Sequence, residues 1–442
     1  MSVAIPSLRA AVAVPGWAKN ALWRSARAIP SLDLRFADNK SLTDAVTGAS
    51  LITFTRASSG TFVGSDGVLQ TAATDVPRLD HNPTTGESLG LLVEEQRTNL
   101  LTNSEDAAAR WPTKDSVTVS ANTTDAPNGT VTADSCVETA TLGDHYLQLA
   151  ITQAANITLS YSVFLKVLGS NRDVFLTMYA NSFADSSSAQ FLLSTATVAS
   201  VTKNGTGAVP TASIQQFANG WLRLSISGQP TTAAVTDLAL RIQLINASTT
   251  YTGDGTSGLF LWGAQLEVGA LPTSYIPTTT AAATRSADVA SITGTAFTGW
   301  YNQTEGTLFA ELLVRNPANH GQVGFDDGAT ERWRIGYIGT GTESSNMVVV
   351  NNGVVQTNQA TSSPNTWPVG ASRRAAAAYK LNDMAMSLQG AEAIVDNAAT
   401  VPTPVKMTIG AAETVTQMTG TIRRLTYWGQ RLPNNILQGI TQ

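Results

Sequence analysis

The residue types that could carry acid–base or covalent chemistry are thinly spread through these 442 residues. Glycoside hydrolysis needs two carboxylates about 5 to 9.5 Å apart across the scissile bond. Glu94-Glu95 is the obvious adjacent pair, but neighbours on a strand point to opposite faces. Asp326-Asp327-Gly328 reads as a turn, because Asp side chains bond their own backbone two residues on. His81, His145 and His320 lie far apart, with no His-x-x-x-His spacing for a metal. His81 sits in a turn and His320 follows Asn319, so both are expected in exposed loops. A Ser-His-Asp triad assembles in space and leaves no fixed spacing, yet no Gly-x-Ser-x-Gly elbow here accompanies a helix.

Metal and thiol chemistry find equally little. Asp254 in Thr252-Gly253-Asp254-Gly255 and the Asp326-Asp327 pair offer calcium-type oxygens, but no series of acids at fixed offsets surrounds them. Turn formation accounts for both. Cys136 is the only cysteine, which excludes an intrachain disulfide and a Cys-based zinc site. It lies in the alternating stretch Ala133 to Glu138 and is expected in a core. No catalytic residue, metal or cofactor is assigned.

Sugar binding by a β-sandwich uses exposed aromatic rings with polar groups around them. Trp300-Tyr301, Trp333 with Tyr337, and Trp367 are the candidates near the C-terminus. Trp333, Ile335 and Tyr337 alternate, which suits a core strand equally well. No carbohydrate-binding residue is assigned.

The elements that must position any such site are strands. Hydrophobic residues make up 43% and charged residues 13%, about half the usual charged share. Nine Trp, nine Tyr and twelve Phe supply real cores and exclude intrinsic disorder. A net charge of −5 creates no general field for nucleic acid. No apolar run approaches eighteen residues, so membrane insertion is not expected. Val12-Ala13-Val14 is too short for a signal segment and Arg9, Pro6 and Pro15 interrupt it, so folding in a cytoplasm is expected.

Residues 1–30 form a basic piece with a short helix-compatible run from Trp17 to Trp23. Trp17, Leu22 and Trp23 are its candidate docking residues, for attachment to another protein. From 31 to 100 the sequence reads as hairpins: Thr61-Phe62-Val63 and Val68-Leu69-Gln70 flank Ser65-Asp66-Gly67. From 101 to 280 alternating strands follow, among them Tyr161/Val163/Leu165, Leu222/Leu224/Ile226 and Leu238/Leu240/Ile242/Leu244. Leu259 to Leu266 is more continuously apolar, as for a strand covered on both faces. Residues 281–294, after Pro272 and Pro277, read as a linker. A second sandwich spans 295–442, closing with Thr421 to Trp428 and a helix capped by Asn434 or Asn435. The fold class is therefore all-β: tandem jelly-roll or β-sandwich domains preceded by a hairpin region and a short N-terminal anchor.

One stretch adds a resemblance. Arg56-Ala57-Ser58-Ser59-Gly60-Thr61, Pro77 to Pro83 and, above all, Gly90-Leu91-Leu92-Val93-Glu94-Glu95-Gln96-Arg97-Thr98-Asn99-Leu100-Leu101 resemble a block found in tailed-bacteriophage structural proteins. The region closing with Leu261-Trp262-Gly263-Ala264-Gln265-Leu266-Glu267 is similar to carbohydrate-binding-module-like jelly rolls. Gly420 to Trp428, then Arg431-Leu432-Pro433-Asn434, resembles concanavalin A/laminin-G-like sandwiches. The resemblance implies a non-enzymatic tail fibre, tail-tip protein or head spike, commonly a homotrimer, at the virion surface. It implies partners among other virion proteins, reached through residues 1–30, and a host surface glycan or receptor. A capsid decoration with little receptor binding and a glycan-degrading depolymerase are the alternatives.

Overall fold

Where side chains alternate, strands form, and two β-sandwiches result. The computed structural model describes residues 20–153, 157–180, 183–231, 235–316, 319–338, 344–360, 370–411 and 416–442. The first sandwich pairs a six-stranded with a seven-stranded antiparallel sheet. The six-stranded sheet runs in the order Thr211–Gln216, Leu222–Gly228, Leu159–Leu168, Gly258–Val268, Ala133–Glu138, Val117–Thr124. The seven-stranded sheet runs Thr197–Asn204, Asp185–Leu192, Asp173–Ala180, Val235–Ile245, Leu142–Gln153, Thr250–Thr252, with Thr113–Asp115 also on Leu142–Gln153. Tyr161, Val163 and Leu165 from one sheet meet Leu176, Met178, Leu240 and Ile242 from the other in the core, beside Cys136.

The second sandwich is built from both ends of the chain. In one sheet Gly420–Trp428 lies between Glu305–Val314 and Ser88–Val93, and Leu32–Leu34 also pairs with it. In the facing sheet Thr53–Thr55 pairs with Val289–Thr293, which pairs with Lys406–Ile409. The hairpin region expected to connect domains therefore supplies strands to the second sandwich. The expected linker 281–294 likewise holds paired strands, Ala283–Arg285 against Arg97–Asn99 and Val289–Thr293 in the sheet. Leu34, Leu91, Leu308 and Tyr427 pack across the core onto Phe54, Ile292, Phe325 and Trp333.

The hairpin Gly60–Val63/Leu69–Ala72 forms as its Asp-Gly turn predicts, with Gly67 at φ +77°. It does not stand free. Val63 and Leu69 pack onto Phe164, Phe217, Trp221, Trp262 and Tyr275, on the outer face of the six-stranded sheet. That explains why Leu259 to Leu266 is apolar on both faces.

A buried charge cluster joins these pieces. Arg78 Nη1 donates to Glu94 Oε2 at 2.7 Å, and its Nη2 donates to Asp288 Oδ2. Arg285 Nη1 donates to the same Glu94 oxygen at 2.7 Å, and Arg56 Nη1 donates to Asp288 Oδ1 at 3.0 Å. Ser274 adds its backbone N–H and hydroxyl to Glu94 at 2.7 and 2.6 Å, and the Glu94 backbone N–H donates to Asp288. All five charged side chains are essentially inaccessible. Burial alone would raise the Glu94 carboxyl, but Arg285, Arg78 and the Ser274 donors outweigh it and hold its pKa well below the usual carboxylate range.

From Asn20 onward the N-terminal piece packs on its own chain. Asn20 caps the helix Ala21–Ala26 through the backbone N–H groups of Leu22 and Trp23. Leu22 packs with Ala26 beside Phe309, Trp428, Leu437 and Ile440. Trp23 Nε1 donates to Asp33 at 2.9 Å, and Asp33 is held in turn by Arg35, Arg424 and Thr426. Two of the three docking candidates are thus engaged within the molecule; Trp17 lies outside the described residues. The closing helix Asn434–Thr441 has Pro433 at its N-cap and no side-chain cap, contrary to the expected Asn cap; Asn434 and Asn435 lie within the helix.

Replacing Glu94 by Gln leaves buried Arg285 without its ion-pair partner and Arg78 with Asp288 alone. The expected loss is about 3 to 5 kcal/mol, read as a lower urea midpoint. A change within experimental error would show that the cluster does not hold the fold together.

Candidate functional site

Strand alternation that buries Leu147/Leu149, Leu176/Met178 and Leu240/Ile242 in the first core turns their neighbours outward on the seven-stranded sheet. Those neighbours are not ordinary surface residues. Tyr146 and Gln148 stand on one strand, Arg241 and Gln243 on the next, and Phe175, Thr177 and Tyr179 on the third. The register sets Gln148 opposite Arg241, and Arg241 opposite Thr177. Beyond them Ser188 faces Thr177 and Gln190 faces Phe175.

Arg241 organises the face. Its guanidinium carbon lies 3.9 Å from the Tyr146 ring centre, 4.6 Å from Phe183 and 5.5 Å from Tyr179. Nε and Nη2 both donate to Gln148 Oε1, at 3.1 and 2.7 Å. Stacking on π-faces and a fixed amide acceptor hold the plane of the cation. Phe183 lies flat on Tyr179, with ring centres 3.7 Å apart at 10°. It is 40% exposed and sits at φ +71°, a region a bulky side chain enters only where its surroundings impose it. The result is a half-buried shelf of aromatic rings, amides and hydroxyls around one cation.

The sequence candidates lie elsewhere and do other work. Trp300, Trp333 and Tyr337 are buried in the second core, where Tyr301 packs against them, and Trp367 lies outside the described residues. Trp333 stacks on Phe325 with ring centres 4.3 Å apart. The alternation Leu238/Leu240/Ile242/Leu244 marks only the buried half of this strand, and the outward aromatics of its neighbours carry no periodic signal of their own. Arg241 and Gln243 in the same strand are the complementary signal.

The acids are committed to architecture. Glu94 and Asp288 belong to the charge cluster. Glu138 accepts two bonds from Arg172 at 2.8 and 2.6 Å and one from Tyr251 at 2.7 Å. Asp254 accepts from Arg172, Thr256 and Ser257, which fills its oxygens with protein donors. Asp327 caps the turn through Ala329, Thr330 and Glu331 backbone N–H groups. No cluster of three His, Cys, Asp or Glu side chains suited to a metal occurs among the described residues. Glu105 has its pKa raised by burial and accepts from the Tyr275 hydroxyl at 3.2 Å, beside an open groove of about 550 Å³. The neighbouring acid in that groove, Asp106, caps a helix turn at Ala109.

Against these geometries stand the comparisons with known proteins. No protein-family model matches the sequence, and no curated protein does. Among solved structures the chain is similar to the CBM40 module of Ruminococcus gnavus IT-sialidase bound to alpha2,3 sialyllactose, at 12% identity over 33% of this chain and 88% of that one, TM-score 0.29. It is similar to mouse laminin alpha1 chain domains LG4-5, at 10% identity over 65% and 85%, TM-score 0.23. It is also similar to Trypanosoma rangeli sialidase in complex with the inhibitor DANA, at 10% identity over 72% and 54%, TM-score 0.28. These likenesses are too distant to transfer a site, a ligand or an activity.

The histidines correct an expectation. His81 ends the strand Arg78–His81 and is buried, with Nδ1 3.1 Å from the Val63 carbonyl oxygen. His320 is a strand residue too, not a loop residue, and stacks on Tyr337 at 5.0 Å. His81 is the last residue of its strand and His320 the first of its own, so each ring takes part in the buried side of a strand end. His145 is likewise buried.

Both His320 nitrogens are buried with no hydrogen-bond partner among the described residues, and burial, with Arg334 nearby, lowers its pKa to about 4. In the unfolded chain it titrates near the ordinary value of about 6.5. The unfolded state therefore binds more protons between those values, and stability falls as pH drops from about 6.5 towards 4. The contribution lost is up to about 3 kcal/mol at 1.36 kcal/mol per pKa unit. His320→Phe should flatten the pH dependence of the urea midpoint between pH 6.5 and 5. An unchanged slope would remove His320 as its source.

Proposed function

We propose that this chain is a non-enzymatic structural component of a tailed-bacteriophage particle, a tail fibre, tail-tip protein or head spike, that contacts glycans on the host surface. The observation that carries the contact is the Arg241 shelf. Flat rings offer apolar area to the C–H faces of a sugar, while half-buried Gln148 and Ser188 offer donors and acceptors to its hydroxyls. The virion assignment draws its support from the resemblance of Arg56 to Leu101. Within that block Arg56, Arg78 and Glu94 make the buried cluster, and Asn99 bonds the carbonyls of Ala264 and Ile276. The block's distinctive residues are thus the joinery of a two-sandwich body, as a shared structural module requires. The non-enzymatic reading is supported by the engagement of Glu94, Asp288, Glu138 and Asp254 with arginines.

Attachment to the particle falls to residues 1–19, with Trp17 as the remaining docking candidate, and assembly as a homotrimer follows the resemblance. Deleting residues 2–19 spares the packed helix Ala21–Ala26. The shortened chain should fold normally and fail to enter particles; normal incorporation would end the anchor assignment. Incubation of the full chain with host-surface polysaccharide should give retention on the polysaccharide without new reducing ends. Release of reducing ends would make the protein an enzyme, and loss of all retention would remove the glycan contact.

A further inference from the structure

The open edge of Arg241 specifies more than a sugar. We infer that the shelf takes an acidic saccharide, with a carboxylate of the ligand seated against the Arg241 guanidinium. This rests on the glycan-contact reading above and narrows its ligand class.

Three observations point to an anion. Arg241 forms no ion pair with any described carboxylate; buried Arg56, Arg78, Arg172 and Arg285 are ion-paired, and buried Arg223 instead spends both Nη groups on the Thr273 carbonyl and the Ser162 hydroxyl. Arg241 Nε and Nη2 share one acceptor, Gln148 Oε1, while Nη1 has no partner among the described residues and is not enclosed. Its two faces are covered by Tyr146 and Phe183, so lateral water is already displaced from a weakly hydrated cation. A guanidinium with covered faces and one open edge matches the planar geometry of a carboxylate. The described carboxylates on this face have other partners: Asp115, opposite Tyr146, accepts from Ser116, Asp144 accepts from Thr250, and Asp173 accepts from Asn171 and the Leu193 backbone N–H. They leave the Arg241 edge uncontested.

The chemistry is binding alone; no bond in the ligand is made or broken. Neutral rings would stack on Tyr146 and Phe175, and the acidic group would fix register on the shelf. Selectivity between an acidic sugar and its neutral counterpart then comes from one charge-assisted pair. Such a pair weakens with salt, since the site is open to solvent.

The test uses the full chain and matched probes: galacturonate and glucuronate trisaccharides, each beside its carboxyl-reduced counterpart, in titration calorimetry at low and high salt. The acidic member of at least one pair should bind tenfold or more tighter than its neutral partner, with the margin shrinking at high salt. Arg241→Met should bring the two within twofold while leaving the thermal midpoint unchanged, and Arg241→Lys should restore part of the preference. Equal binding of acidic and neutral members overturns the acidic assignment and leaves the glycan contact standing. No binding of any of the four overturns both.

Discussion

The fold depends on a charge cluster placed where no water reaches it. Glu94 and Asp288 sit among Arg56, Arg78 and Arg285, drawn from segments more than 190 residues apart in the chain. Burying one ion costs several kcal/mol, and mutual attraction offsets it only when every lone pair and proton finds a partner. Here Ser274, the Thr61 and Ala73 carbonyls and the Glu94 backbone N–H supply most of those partners, leaving the Nε–H groups of Arg78 and Arg285 without one among the described residues. Apolar side chains of equal volume could fill the same space. They would not specify which segment meets which, whereas each carboxylate here accepts only the arginines whose forks reach it.

That selectivity is needed because the second sandwich is discontinuous. Its strands come from residues 32–93 and 289–442, and the first sandwich is threaded between them. Long-range pairing of this kind carries a high loop-closure cost before any contact forms. The cluster lies at the crossing point, next to Arg97–Asn99 paired with Ala283–Arg285, where the chain leaves one sandwich and returns. Asp33 repeats the device at the other end, joining Trp23, Arg35 and Arg424 so that the first strand registers on the last.

How much of this was legible follows from what periodicity encodes. The two-residue repeat in Tyr161/Val163/Leu165 or Leu308/Ala310/Leu312 fixes a strand and its buried face, because pleating is local. Asp66-Gly67 fixes a hairpin for the same reason. Neither says which distant strand lies alongside. Ser88–Val93 looks like the second arm of a hairpin with Arg78–His81, and it is; its other edge belongs to Gly420–Trp428, some 330 residues away. Glu94-Glu95 looks like two surface acids until Arg285 and Asp288 arrive from the segment read as a linker. The Arg241 shelf was the complement of a pattern already seen, and only the register joining three strands shows that its rings converge on one cation.

The shelf is open because the other sheet faces are occupied. The outer face of the six-stranded sheet is sealed by the Gly60–Ala72 hairpin. In the second sandwich the helices Ala21–Ala26 and Asn434–Thr441 lie over Phe309, Ala376, Ala378 and Trp428, where alanines admit close approach. The strands His320–Asp326 and Ser344–Asn351 are buried along nearly their whole length on both faces. The seven-stranded sheet differs: Gln148, Phe175, Ser188 and Arg241 are half-buried and Thr202 is exposed. A sheet left open by accident favours short charged side chains and threonines, which need no partner. This one carries three aromatic rings and an arginine stacked between two of them, at a cost in ordered side chains that no internal contact of the fold requires. A surface that maintains such order without burying it is shaped for something that arrives from outside.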